Sequence, residues 1–224
     1  MKGNKLVLDK EILLKDFVGT IEVNSDEVIL NIEGNCKINE IVLDKHKRLI
    51  INVLKNSKLE YNRFSLNPSD EGYLEINHEE NGVSLFNEGI LCDKDYKMDL
   101  NVYEKYSRIN SKVLIRILTV DNASVFVNAS GYVLKDTLEN EITEDIRAFN
   151  SESSKISILP NLIVDSNDVI ANHNVTISNI NEEELFYLNS KGISDSDAIK
   201  LLRNGFMLSI FSNEEFKDNI KKYL

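Results

Sequence analysis

Pro160–Phe206 reads PNLIVDSNDVIANHNVTISNINEEELFYLNSKGISDSDAIKLLRNGF, and two structural periods meet inside it. As far as Ile180 the apolar residues alternate or gather in short β-branched runs: Leu162-Ile163-Val164, Val169-Ile170, then Val175, Ile177 and Ile180. That is the spacing of strands. From Asn181 the spacing turns helical. Asn181 suits an N-cap, Glu182, Glu183 and Glu184 place carboxylates at the positive end of a helix dipole, and Gly192 ends the helix. Ser194 and Asp197 stand at capping-box spacing before a second helix, whose apolar stripe is Ala198, Leu201 and Leu202, extended by Gly205-Phe206. A last helix is expected over about 213–223, with Glu214 and Glu215 first and Lys221 and Lys222 last.

Upstream, short Val/Ile/Leu-rich segments recur, among them Glu27–Glu33, Leu49–Leu54, Lys58–Phe64, Tyr73–Asn77, Val83–Phe86, Met98–Tyr103, Val113–Val120 and Lys155–Leu159. Links such as Glu33-Gly34-Asn35 and Glu79-Glu80-Asn81-Gly82 separate them. With two prolines and nine glycines in 224 residues, Asn and Asp must supply much of the turn chemistry. Many short strands about ten residues apart indicate an all-β stack: a sandwich, a barrel or a β-helix. No strict repeat chooses among the three.

The order and spacing of Pro160, Leu162, Ile163, His173, Thr176, Leu185-Phe186-Tyr187-Leu188, Lys191-Gly192-Ile193, Ala198 and Gly205-Phe206 resemble the core domain shared by SufB and SufD, the scaffold proteins of the SUF iron–sulfur cluster assembly system. The resemblance is close over the C-terminal part of the chain. It implies a mainly β fold, a right-handed parallel β-helix over residues 1–180, with a C-terminal helical segment over 181–224 that caps the stack. It also implies a scaffold role, with a SufC-type ABC ATPase docking on the C-terminal helices. Phe186, Tyr187, Ala198, Leu201, Leu202 and Phe206 are the expected partner-binding residues. A homodimer, or a heterodimer with a SufB-like subunit, is expected through strands near 161–180.

His173 is the candidate metal ligand. Neutral imidazole binds iron well, and the resemblance places a SufD-type histidine implicated in the cluster site here. An ungapped count from Pro160 puts Asp145 where SufB-type members carry a cysteine, so Asp145 is a weaker metal candidate. The carboxylates that flank this histidine in SufB-type members are replaced by Asn172 and Asn174. No cysteine follows Cys92. The chain would therefore supply His173 to a transient iron–sulfur cluster site completed by a thiolate-bearing partner. Cys36 and Cys92, far apart and in no Cys/His cluster, read as reduced thiols. His46 and His78 read as solvated loop residues, and the acidic pairs, Glu144-Asp145 among them, as solvated faces.

A net charge of −11 opposes a nucleic-acid partner. No apolar run reaches membrane-spanning length, and the N-terminus is not a signal peptide; a cytoplasmic protein with no membrane partner is expected. Walker A, dinucleotide-binding, zincin and nucleophile-elbow motifs are missing, so an enzyme is not expected. The alternatives are a β-helix enzyme acting on carbohydrate, disfavoured by the lack of Trp for stacking on sugars, and a structural β-solenoid without cluster chemistry.

Overall fold

Asparagine and aspartate set the corners. In the computed structural model, which describes residues 4–8, 10–43, 48–68, 70–151, 153–179 and 181–224, Asp16, Asn56, Asn67, Asn81, Asp121 and Asp136 all have positive φ. These are residues whose short polar side chains tolerate the left-handed region. Successive corners are tied together: Asn81 Nδ2 donates to Asn56 Oδ1 at 2.7 Å, and Arg108 Nε to Asn81 Oδ1 at 2.7 Å.

Between the corners run fifteen strands: β1 Asn4–Leu8, β2 Glu11–Lys15, β3 Val18–Val23, β4 Glu27–Glu33, β5 Asn35–Leu43, β6 Arg48–Val53, β7 Lys58–Leu66, β8 Glu71–His78, β9 Val83–Cys92, β10 Tyr96–Glu104, β11 Asn110–Thr119, β12 Ser124–Val133, β13 Asn140–Phe149, β14 Lys155–Val164 and β15 Val169–Ser178. Odd strands form one eight-stranded sheet in sequence order, even strands a seven-stranded one, and every pairing is parallel. The chain is a right-handed parallel β-helix of two facing sheets. Asn35 pairs with Lys58, Lys58 with Val83, Val83 with Asn110 and Asn110 with Glu141. The coil thus lengthens along the chain, which is why no fixed repeat shows in the sequence.

Alternate residues face inward, and their apolar side chains stack into the main core, which includes Ile38, Ile51, Ile76, Phe86, Leu100, Ile115, Val127 and Ile146. That core also buries charge. Glu40, Arg63 and Glu88 are register neighbours, with Arg63 Nε 3.4 Å from Glu40 and Nη1 3.5 Å from Glu88. Burial alone would lower the guanidinium's pKa; Glu88 and Glu40 outweigh it and keep Arg63 charged. Tyr61 donates to Glu40 and Ser65 to Glu88, both at 2.7 Å. A buried ion cluster of this kind adds little net stability, but losing one member would strand the others.

Three helices follow, α1 Glu182–Ser190, α2 Asp195–Leu208 and α3 Glu214–Ile220. Their caps follow the sequence: the side chain of Asn181 accepts from Glu183 N, that of Ser194 from Asp197 N, and Gly192 has φ 85°. The expectation that they cap the end of the stack is corrected. They fold back over the outer face of the eight-stranded sheet, where Leu66, Leu91, Leu118 and Phe149 form an apolar column. Phe64, Leu91 and Leu118 bury Met207, Ile210, Phe211, Phe216 and Ile220 there in a second core. Gly89 permits the close approach, since a Cβ at this position would lie 2.5 Å from Met207 Sδ. Such apolar side chains each contribute roughly 1.5–3 kcal/mol when fully buried.

One reading of a polar residue is also corrected. His78 is not solvated: it is the last residue of β8, 2% exposed, with Nε2 2.7 Å from Ser84 Oγ and Nδ1 3.3 Å from Tyr103 O. His46 and Ile180 lie outside the described residues.

His78 and its register neighbour Glu104 give a pH signature. Burial pushes the Glu104 carboxyl up to about 7, despite the bond from Ser111 and with nearby Glu141 adding to the rise. The folded chain then holds a proton that the unfolded chain releases, so stability falls as pH rises from 4.5 through 7. Burial lowers His78 to about 4, which removes stability as pH falls from 6.5 to 4. Above about pH 6.5 most of the His78 contribution is already in place, so the buried carboxyl dominates. The melting temperature should fall by roughly 2–4 °C between about pH 6.5 and 8, and less in Glu104→Gln. A flat or rising profile in calorimetry would contradict this.

Candidate functional site

The last coil, β14 and β15, is the open end of the stack. Each strand pairs on one side only, β14 with β12 and β15 with β13. Pro160, which lacks an N–H to donate, is tolerated in β14 because that strand has a free edge. The inward residues Ile156, Ile158, Leu162, Val164, Val169 and Val175 are only half-buried against the core. Outward, Leu159, Ile163 and Ile170 are 51%, 46% and 61% exposed, and Ile177, on the inward face beyond Val175, is itself 45% exposed. Ten-residue parallel strands with free backbone groups and apolar flanks are a template for pairing with another chain.

His173 sits in the middle of β15, exposed, two residues before Val175 and therefore on the same inward face. Its register partner is Glu144. Glu144 lies between the buried Ile142 and Ile146 and is itself 1% exposed. Neither of its carboxylate oxygens has a hydrogen-bond partner among the described residues, and burial pushes the carboxyl up to about 7. The expectation that the Glu144-Asp145 pair forms a solvated face is thus corrected at Glu144.

Asp145 points the other way. Arg116 Nη1 lies 3.0 Å from its Oδ1, and Arg147 donates through Nε to Oδ1 and through Nη2 to Oδ2, both at 2.9 Å. Burial would raise Asp145; bonding from Arg147 and the charge of Arg116 outweigh it and hold the carboxyl below its ordinary value. Its register partner is Asn174. Asp145 and His173 lie on adjacent strands in opposite phases, and both border one cavity with Arg116, Asn172 and Asn174. Asp145 is occupied by arginine. Glu144 is the carboxylate that shares a face with His173, and the alternation Ile142-x-Glu144-x-Ile146-x-Ala148 signals it, because that phase is apolar everywhere else in β13 after Asn140.

No thiolate is near. Cys36 and Cys92 are buried, Cys92 pushed up to about 12 and Cys36 raised, both chiefly by burial. Among the described residues no three His, Cys, Asp or Glu side chains converge as a metal site.

A second surface lies on α1 and α2. Phe186, Tyr187 and Leu201 are 75%, 60% and 53% exposed. Leu202 and Phe206 are half-buried, Phe206 with its ring 5.7 Å from that of Phe149. Ala198 is fully buried and presents nothing to a partner. The predicted stripe thus divides in two. Its inner half anchors α2, and its outer half joins α1 as an apolar ridge.

A family model described as SUF system FeS cluster assembly, SufBD core domain, matches residues 49–206. Relatives include an iron–sulfur cluster assembly SufBD family protein of Galdieria sulphuraria, 40% identical over 60 residues, or 27% of each chain. SufD of Bacillus subtilis is 29% identical over 105 residues, 46% of this chain and 24% of that protein. A SufBD family protein of Pyrococcus horikoshii is 28% identical over 152 residues, 65% of this chain and 33% of that protein. The matches thus span about a quarter to a third of these relatives' lengths. Among the described residues no helix is long and apolar enough to cross a membrane. A family match over most of the chain, together with the parallel β-helix that carries it, makes this chain a member of the SufBD core-domain family of iron–sulfur cluster assembly proteins.

Proposed function

We propose that the chain is a SufB/SufD-like scaffold subunit that docks a SufC-type ABC ATPase and pairs with a second scaffold subunit in the cytosol. The nucleotide chemistry belongs to the ATPase, and this chain is not itself an enzyme. The observation that carries the docking reading is the exposure of Phe186 and Tyr187 on α1 and of Leu201 on α2, a helix whose other side is anchored in the second core by Met207. Aromatic and aliphatic side chains held rigidly at a surface are the usual anchors of a protein interface.

His173 is read as an iron ligand at the open end. It would serve a transient iron–sulfur cluster whose thiolates come from a SufB-like partner, the cluster being cargo of the assembly rather than a resident cofactor. The free edges of β14 and β15 support pairing there, as a homodimer or with that partner, and their exposed Ile163, Ile170 and Ile177 would be covered by it.

Leu201→Asp tests the ridge, because Leu201 is exposed and its loss leaves the second core intact. The variant should keep its β-rich circular dichroism and lose ATPase capture by at least tenfold, about 1.4 kcal/mol. Undiminished capture would remove the ridge from the docking surface. Pairing is read separately: light scattering at tens of micromolar should give twice the 25.6 kDa of one chain, and Ile170→Lys should return it to one. A monomer at that concentration, with or without the ATPase or a SufB-like chain, would contradict the paired assembly.

A further inference from the structure

One inward column changes character at the open end. Through successive coils it runs Ile38, Tyr61, Phe86 and Val113, then Glu144, then His173. Four apolar positions give way to a carboxylate and an imidazole in the last two.

The carboxylate is unlike the others inside the stack. Glu40 accepts from Tyr61, Glu88 from Ser65 and Glu104 from Ser111. Glu144 has no hydrogen-bond partner for either oxygen among the described residues. Its space is left by Gly131 in the facing sheet, where a Cβ would come 3.1 Å from Oε1 and 2.7 Å from Ile142 Cδ1. A buried carboxylate without a partner is costly, and a divalent cation would offset that cost with both charge and a bond.

The spacing suits this. Register neighbours on adjacent strands are about 4.8 Å apart, and a first-row metal binds nitrogen and oxygen at about 2 Å, so both side chains can reach one ion between the coils. His173 is exposed, which leaves a path in from the end of the stack.

We propose that Glu144 and His173 together bind a single ferrous ion at the open end of the stack. Water or the second subunit fills the remaining positions. This rests on the reading of His173 as an iron ligand, and it adds the second ligand and the form of the cargo. Imidazole and carboxylate suit mononuclear Fe(II), whereas iron–sulfur clusters are held chiefly by cysteine thiolates. The iron arrives as an ion, before sulfide.

The test is anaerobic equilibrium dialysis of the full chain against ferrous iron alone, without sulfide, read by metal analysis, with cobalt(II) absorption as a second readout. Wild type should bind one ion per chain. Glu144→Gln and His173→Ala should each weaken binding by at least tenfold, while Glu141→Gln, on the outer face of the same strand, should not. Glu144→Gln should melt no lower than wild type, so its loss of iron is not unfolding. Wild-type affinity in Glu144→Gln alongside loss in His173→Ala would overturn the role of Glu144 and leave His173 standing. No iron on wild type would overturn the pair, and the ATPase-capture result would still decide the scaffold role.

Discussion

The in-register parallel ladder between one coil and the next governs everything else in this molecule. Because each strand pairs residue for residue with the strand one coil earlier, a side chain's column and face are set once and repeated up the stack. Apolar inward columns merge into one core, the Glu40–Arg63–Glu88 cluster forms because three coils place charge in one column, and the asparagine corners are stitched by their own amides. The same ladder must end somewhere, and at β14 and β15 it ends with its backbone groups and half-covered apolar residues facing out.

Where the helices go decides what that end can do. They are drawn to the outer face of the larger sheet, where Leu66, Leu91, Leu118 and Phe149 already line up and Gly89 lets Met207 in. The stack is therefore left open, and the helices' remaining apolar residues form a separate ridge. The proposed scaffold role would use both surfaces at once, one for an ATPase and one for a second subunit. In this fold neither has to be sacrificed for the other.

Much of this was legible in the residues. The cap residues Asn181 and Ser194, the glycine stop at Gly192 and the strand character of most β segments follow from local chemistry that tertiary context did not override. The repeat was hidden because the coil lengthens along the chain. β13 was hidden for a different reason: Glu141, Thr143, Asp145 and Arg147 occupy its outer phase, and Glu144 breaks its inner one, so its acidic pair reads as a solvated face. His78 misled in the same way, since its acidic neighbours Glu79 and Glu80 belong to the turn and the histidine to the strand. An amphipathic stripe says that a helix buries one face, not what it buries it against, and so Ala198 and Leu201 could not be divided into anchor and ridge beforehand. Asp145, the weaker metal candidate from sequence, and Glu144, read there only as part of a solvated face, are separated by the one-residue parity that a strand imposes.

Where sulfide goes tests the proposed scaffold role most directly. The direct measurement is anaerobic reconstitution with iron and sulfide of the chain alone and of the chain with a thiolate-bearing SufB-like partner and a SufC-type ATPase, read by acid-labile sulfide and absorption. The chain by itself offers imidazole and carboxylate at its open end, and its two cysteines are buried elsewhere. Labile sulfide is therefore predicted in the complex, lost with His173→Ala, and not on the isolated chain. Iron and sulfide in cluster proportions on the isolated chain, or no sulfide even in the complex, would contradict it.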